Sequence, residues 1–181
     1  MNAIEELILA FQDLVAQVPE LVQPFVVLLA GMVPFIEGDA GGPIGVIGGL
    51  HPIVAGIAAA TGNFLAVLAV VTLSSRTREA VVSRHHAAAS GSVATLEADP
   101  EPKPESKGKQ RVKRWLVRFG VPGASLLGPL AIPTHITAAT LIASGIPRGW
   151  VLLWQGIAIV LWTTISTVLA WLALSVFVTT L

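Results

Sequence analysis

Glu37 and Asp39 stand two residues apart inside PFIEGDAGGP, between two apolar runs. A carboxylate in such surroundings is costly to keep charged. It usually faces a cavity or an ion path, or it pairs with a partner. Two carboxylates this close also repel, which suits the sharing of a proton. His135 follows Thr134 in a second stretch of similar design, IPTHITAAT. A His facing a carboxylate would make a proton relay. The plainer alternatives are an exterior loop that simply solvates both acids, and a His and Thr held in a structural hydrogen bond. Glu37, Asp39, Thr134 and His135 are the candidate transport and proton-pathway residues. No catalytic residue, metal ligand or cofactor is expected, because no nucleotide-binding glycine loop, HExxH or nucleophile elbow occurs. With no cysteine, disulfides and thiolate metal sites are excluded.

These residues are carried by a chain too apolar for a water-facing surface. Hydrophobic residues make up 54% and charged residues only 12%, where soluble domains carry about 25% charged residues. The charge is also unevenly placed. Of the 11 Lys and Arg, only Arg148 lies outside Arg76–Arg118. By the positive-inside rule the segment between is cytoplasmic, which implies a multi-pass protein of the cell inner (plasma) membrane.

The chain divides into four parts. Residues 1–19 read as an amphipathic helix, with Ile4, Leu7, Ile8, Phe11, Leu14, Val15 and Val18 on one stripe. That stripe fits the membrane interface, or a protein partner. Residues 20–75 form a first membrane repeat. Its runs 21–36 and 41–49 are short and interrupted by proline, as in re-entrant segments, whereas 53–75 is long enough to cross. Residues 76–114 read as a basic, disordered cytoplasmic loop rich in Ala, Ser, Pro, Glu and Lys. Residues 115–181 form a second membrane repeat. His85 and His86 fall in the loop and carry no assigned role.

At an offset of 95, Pro34 aligns with Pro129 and Pro52 with Pro147, while Gly45 and Gly49 meet Thr140 and Ser144. If each half is a hairpin plus one crossing, the halves are antiparallel. The expected fold is therefore an all-α integral membrane protein of two inverted repeats, each a Pro/Gly-broken re-entrant hairpin plus a transmembrane helix. Four plain transmembrane helices are the alternative. Pro34, Pro43, Pro129 and Pro133 are expected to break helices at the tips. Gly41, Gly45 and Gly49, four apart, are expected at a close helix contact, within the chain or across a dimer. Asn63 and Gln155 are expected to bond between helices, and Arg148 to snorkel.

The spacing in PFIEGDAGGP resembles the first motif of the small multidrug export family of bacterial membrane proteins, Pro-x-x-Glu-x-Arg-x-x-x-Pro. Pro129, Pro133 and Thr134, with small residues on to Ala143, are similar to that family's second proline motif. The resemblance covers roughly 20–75 and 115–170. The architecture also looks like that of the wider DedA-like membrane proteins, which have two re-entrant hairpins and handle lipid carriers or ions. Asp39 stands where the family has Arg, and His135 where it has Gly, which makes the first tip doubly acidic. The resemblance implies export of a small or lipophilic compound. The expected function is thus a small proton-coupled exporter, with lipid or lipid-carrier translocation and a non-transporting scaffold as alternatives. The expected partners are membrane lipids, a small lipophilic substrate and a second copy in a homodimer, and not nucleic acid.

Overall fold

The computed structural model describes residues 3–89 and 120–180. Every regular element among them is helical. In chain order these are α1 (Ala3–Gln17), α2 (Gln23–Met32), α3 (Glu37–Ile47) and α4 (Pro52–Ala89), then the helical stretch 120–127, named α5, a 3₁₀ turn (Gly128–Leu130), α6 (Thr134–Ala143) and α7 (Arg148–Thr180).

Two lengths dominate. Within α4 and α7, the segments Pro52–Thr77 and Arg148–Val176 have a mean hydropathy of 2.1 and are long and apolar enough to cross a membrane. At 1.5 Å per residue each exceeds the ~30 Å of a bilayer core. Much of their apolar surface faces outward, including Ile57 (63% exposed), Val160 (60%) and Leu169 (61%), an arrangement unsuited to water. In contrast α2, α3 and α6 hold 10, 11 and 10 residues, so each is only ~15 Å long.

The two long helices run antiparallel. Arg148, at the start of α7, donates to the Ser75 hydroxyl at 3.4 Å. Further along, a methyl added at Gly156 would lie 3.4 Å from the Phe64 ring, and one at Gly56 would lie 3.7 Å from Thr167. The short helices pack into this frame. α3 and α7 run in parallel, Gly38 against Thr163 and Gly42 against Thr167. α2 crosses α4 with backbones almost touching, Gly31 over the Ala59 carbonyl and Gly62 under that of Leu28. The small residues permit this approach.

The short helices end alike. In α3 the Leu50 N–H reaches the Gly45 carbonyl (2.9 Å) and the Gly49 N–H that of Val46 (3.1 Å). In α6 the Ile146 N–H reaches Leu141 (3.2 Å) and the Gly145 N–H reaches Ile142 (3.0 Å). Both are Schellman turns closed by a glycine at positive φ, 99° at Gly49 and 91° at Gly145. A proline then opens or precedes the next long helix, Pro52 or Pro147.

Several expectations are corrected. Pro43 does not end a helix. It lies inside α3, where it withdraws one hydrogen bond from the Asp39 carbonyl, and α3 continues. The first tip is therefore shorter than PFIEGDAGGP and closes before Glu37. Gly41 packs against Ala59 and Gly31, and Gly45 against Ala55 and Val27. Gly49 does not, since nothing lies within 4 Å of the place its Cβ would occupy. By cap position it answers to Gly145, one residue off the offset of 95. α4 also runs on to Ala89 rather than giving way to a loop at 76, because TREAVVSRHHAAA holds mostly residues that tolerate or favour helix and no Gly or Pro. The rest of the expected loop lies outside the described residues.

Candidate functional site

The site is built where two short helices begin. Pro34 forces the residue before it into extended backbone. Val33 accordingly ends α2 at ψ 125°. The chain then reverses in a few residues, with Phe35 at φ 73° and Glu37 at φ 49°. Left-handed backbone at a non-glycine residue costs on the order of 1–3 kcal/mol and is kept only where the surroundings enforce it. Here the reversal delivers the Glu37 carboxyl to the opposite tip. In that tip Pro129 lies in the 3₁₀ turn and Pro133 stands as the cap residue of α6.

Glu37 Oε1 accepts the backbone N–H of Thr134 at 2.8 Å. Thr134 is the first residue of α6, so its N–H has no partner within the helix. The carboxylate thus caps α6 and meets the positive end of its dipole. The same oxygen pairs with His135 Nδ1, also at 2.8 Å. The Thr134 hydroxyl donates to Asn63 Oδ1 at 3.1 Å, which ties the tip to α4. Glu37, Asn63, Thr134 and His135 are all buried, at 5%, 1%, 2% and 8% exposure. Asn63 lies near the middle of Pro52–Thr77, and Thr163, against Gly38, near the middle of Arg148–Val176. The network therefore lies at mid-length of both long helices. From there α3 runs toward the Pro52 end and α6 toward the Ser75–Arg148 end.

Asp39 does not join the network. With Glu37 it lines a partly open pocket of about 160 Å3 between the tips, with Phe35 on its own side and Pro129, Ile132 and Pro133 on the other. His135 Nε2 is buried without a protein partner. Among the described residues no three His, Asp or Glu side chains converge as a metal ion would require. One carboxylate oxygen thus takes both contacts, a backbone N–H and an imidazole nitrogen.

Of the sequence candidates, Glu37, Thr134 and His135 come into direct contact, Asp39 is a neighbour, and Pro129 and Pro133 shape the second tip. Gln155 reaches Ser125 at 3.4 Å. Asn63, expected to bond between helices, does so to Thr134 and belongs to the site itself. Thr163 and Thr167, on the inner face of α7, were not singled out at all. Their signal is a pair of hydroxyls one turn apart facing Gly38 and Gly42, which only the register of α3 on α7 reveals.

Comparison with protein-family models, curated proteins and solved structures gives no match to this chain.

Proposed function

We propose that the chain is a multi-pass protein of the cell inner membrane that exports a small or lipophilic compound in exchange for protons. Glu37 is the proton-carrying group and His135 its relay. The observation that carries this reading is the Glu37 carboxylate bound at once by the Thr134 N–H and by His135 Nδ1. It links the beginnings of two half-length helices at the middle of two antiparallel apolar helices. A titratable group kept there, far from either end, is expensive unless it is used. Protonating Glu37 would weaken its hold on His135 and on the α6 N-terminus, freeing one tip from the other.

In this reading α2–α3 and the segment through α6 are re-entrant hairpins, and the halves form an inverted repeat. The matching Schellman turns, the antiparallel pairing of α4 with α7 and the departure of α3 and α6 toward opposite ends all support it. Alternating access would be a rocking of one half against the other about the joined tips. The likeness to the small multidrug export motifs agrees with this function.

One observation favours a lipid or other long apolar substrate. A groove of about 890 Å3 opens sideways between α4 and α7, walled by Phe64, Leu65, Leu153, Ile157 and Val160. Its α4 wall includes Phe64, next to Asn63 of the polar network.

The test is efflux of a lipophilic dye from proteoliposomes driven by an imposed pH gradient. The wild type and Asp39→Asn should both be measured against Glu37→Gln. Loss of gradient-driven efflux in Glu37→Gln at normal protein content supports the reading, and efflux at the wild-type rate refutes it.

A further inference from the structure

The groove between α4 and α7 is apolar along its length and basic at one end. Ala60, Phe64 and Leu65 wall it on α4, and Gly149, Leu153 and Gly156 on α7. Small residues hollow it. Nothing lies within 4 Å of the place a Cβ at Gly149 would occupy, and the Phe64 ring is the nearest group at Gly156. On α7 the wall runs from Gly149 to Leu161, ~18 Å at 1.5 Å per residue. One leaflet of a ~30 Å bilayer core is ~15 Å deep. The groove thus starts at the Ser75–Arg148 end of the long helices and stops near their middle, beside Asn63.

Its outer end carries charge. Arg148 adjoins Gly149 and is the only charged residue of α7. It is also the first residue of that helix, where the positive end of the dipole disfavours a cation. Its hydrogen bond to the Ser75 hydroxyl, at 3.4 Å, holds the guanidinium across the gap between α4 and α7. Arg76 follows Ser75 and is exposed. The nearest acid in sequence, Glu79, lies one turn beyond Arg76, away from the groove. Two arginines and a helix N-terminus therefore gather where an apolar groove begins.

We propose that this groove seats one chain of an anionic phospholipid from the leaflet on the Arg148 side, with its phosphate on Arg148 and Arg76. The inference rests on the membrane reading of α4 and α7 and names the lipid that the groove takes. Charge selects the head, since a basic mouth between membrane helices favours an anionic one. Depth selects the source, since a groove one leaflet deep ends where the chain of an ordinary phospholipid ends. The chain would cover apolar surface that otherwise packs loosely against bulk lipid.

The experiment reconstitutes the full chain in vesicles of equal phosphatidylglycerol and phosphatidylcholine with the same chains. The protein is then extracted into uncharged detergent, and retained lipid is read by native mass spectrometry. The wild type should keep one phosphatidylglycerol, in preference to phosphatidylcholine by about fivefold or more. Arg148→Gln should cut that preference about fivefold while still retaining lipid of either kind. Gly149→Leu fills the mouth without displacing a neighbour and should remove most of the lipid. Thermal unfolding shows whether each variant keeps its fold. Equal retention of the two lipids by the wild type, or an undiminished preference in Arg148→Gln, would overturn the head site. Undiminished retention in Gly149→Leu would place the lipid elsewhere, and a lipid-free dimer would mean that a second copy covers the groove. All of these outcomes strike the lipid site and leave the role of Glu37 standing. A chain that fails to float with the vesicles loses the lipid site and the membrane reading together.

Discussion

The Glu37 carboxylate caps a helix that begins 97 residues later, by accepting the Thr134 N–H at 2.8 Å. Because the same oxygen holds His135, the two halves of the chain meet on one atom. Removing it leaves a buried N–H and an imidazole nitrogen without their acceptor. Glu37→Ala should therefore lower stability by about 2–4 kcal/mol, the sum of a lost cap and an unpaired buried polar group. Glu37→Gln keeps an acceptor oxygen and should lose less than half as much. Thermal or denaturant unfolding in detergent separates the two. Equal losses would mean that charge, not hydrogen bonding, holds the tips together.

Asn63 and Thr134 should prove energetically coupled. Thr134→Val removes the hydroxyl that donates to Asn63 Oδ1 but leaves the backbone N–H on Glu37. A double-mutant cycle with Asn63→Ala should give an interaction of about 0.5–1.5 kcal/mol. A value within error of zero would remove α4 from the network.

The composition and prolines of the chain already indicate long apolar helices and a paired tip. The Pro34 and Pro133 positions single out Glu37, Thr134 and His135, because a carboxyl and an imidazole flanked by apolar runs have few physical explanations. What was illegible depends on register. Pro43 reads as a breaker until α3 is seen to start at Glu37, which puts only one hydrogen bond at risk. Gly41, Gly45 and Gly49 look equivalent at a spacing of four, yet the helix ends between the second and third, and Gly49 becomes a cap. Thr163 and Thr167 depend on contacts between distant segments, which no local pattern encodes.

The glycines should differ sharply in tolerance. A methyl at Gly62 would strike the Leu28 carbonyl, and one at Gly31 would strike that of Ala59. Backbone cannot swing aside as a side chain can, so Gly62→Ala and Gly31→Ala should each cost about 1–3 kcal/mol. Gly149 meets nothing within 4 Å, and Gly149→Ala should be neutral or slightly stabilising, by up to about 1 kcal/mol from helix propensity. Unfolding midpoints of the three variants check the order. If Gly62→Ala and Gly149→Ala behave alike, the close crossing of α2 on α4 is wrong.

The joined tips should lie at mid-depth in a bilayer between oppositely directed halves. Single cysteines test it most directly, because the native chain has none. Asn2, Ser106 and Leu181 report the sides, while Pro34 and Leu130, both exposed at the tips of the fold, report depth. Cysteines at Asn2 and Leu181 should label from outside and Ser106 from inside. Cysteines at Pro34 and Leu130 should react slowly with a membrane-impermeant maleimide from either side, because lipid and not protein shields them. Both termini labelling from inside, with Pro34 reacting freely from outside, would mean four plain spans and an ordinary exterior loop at Glu37, and would contradict the account.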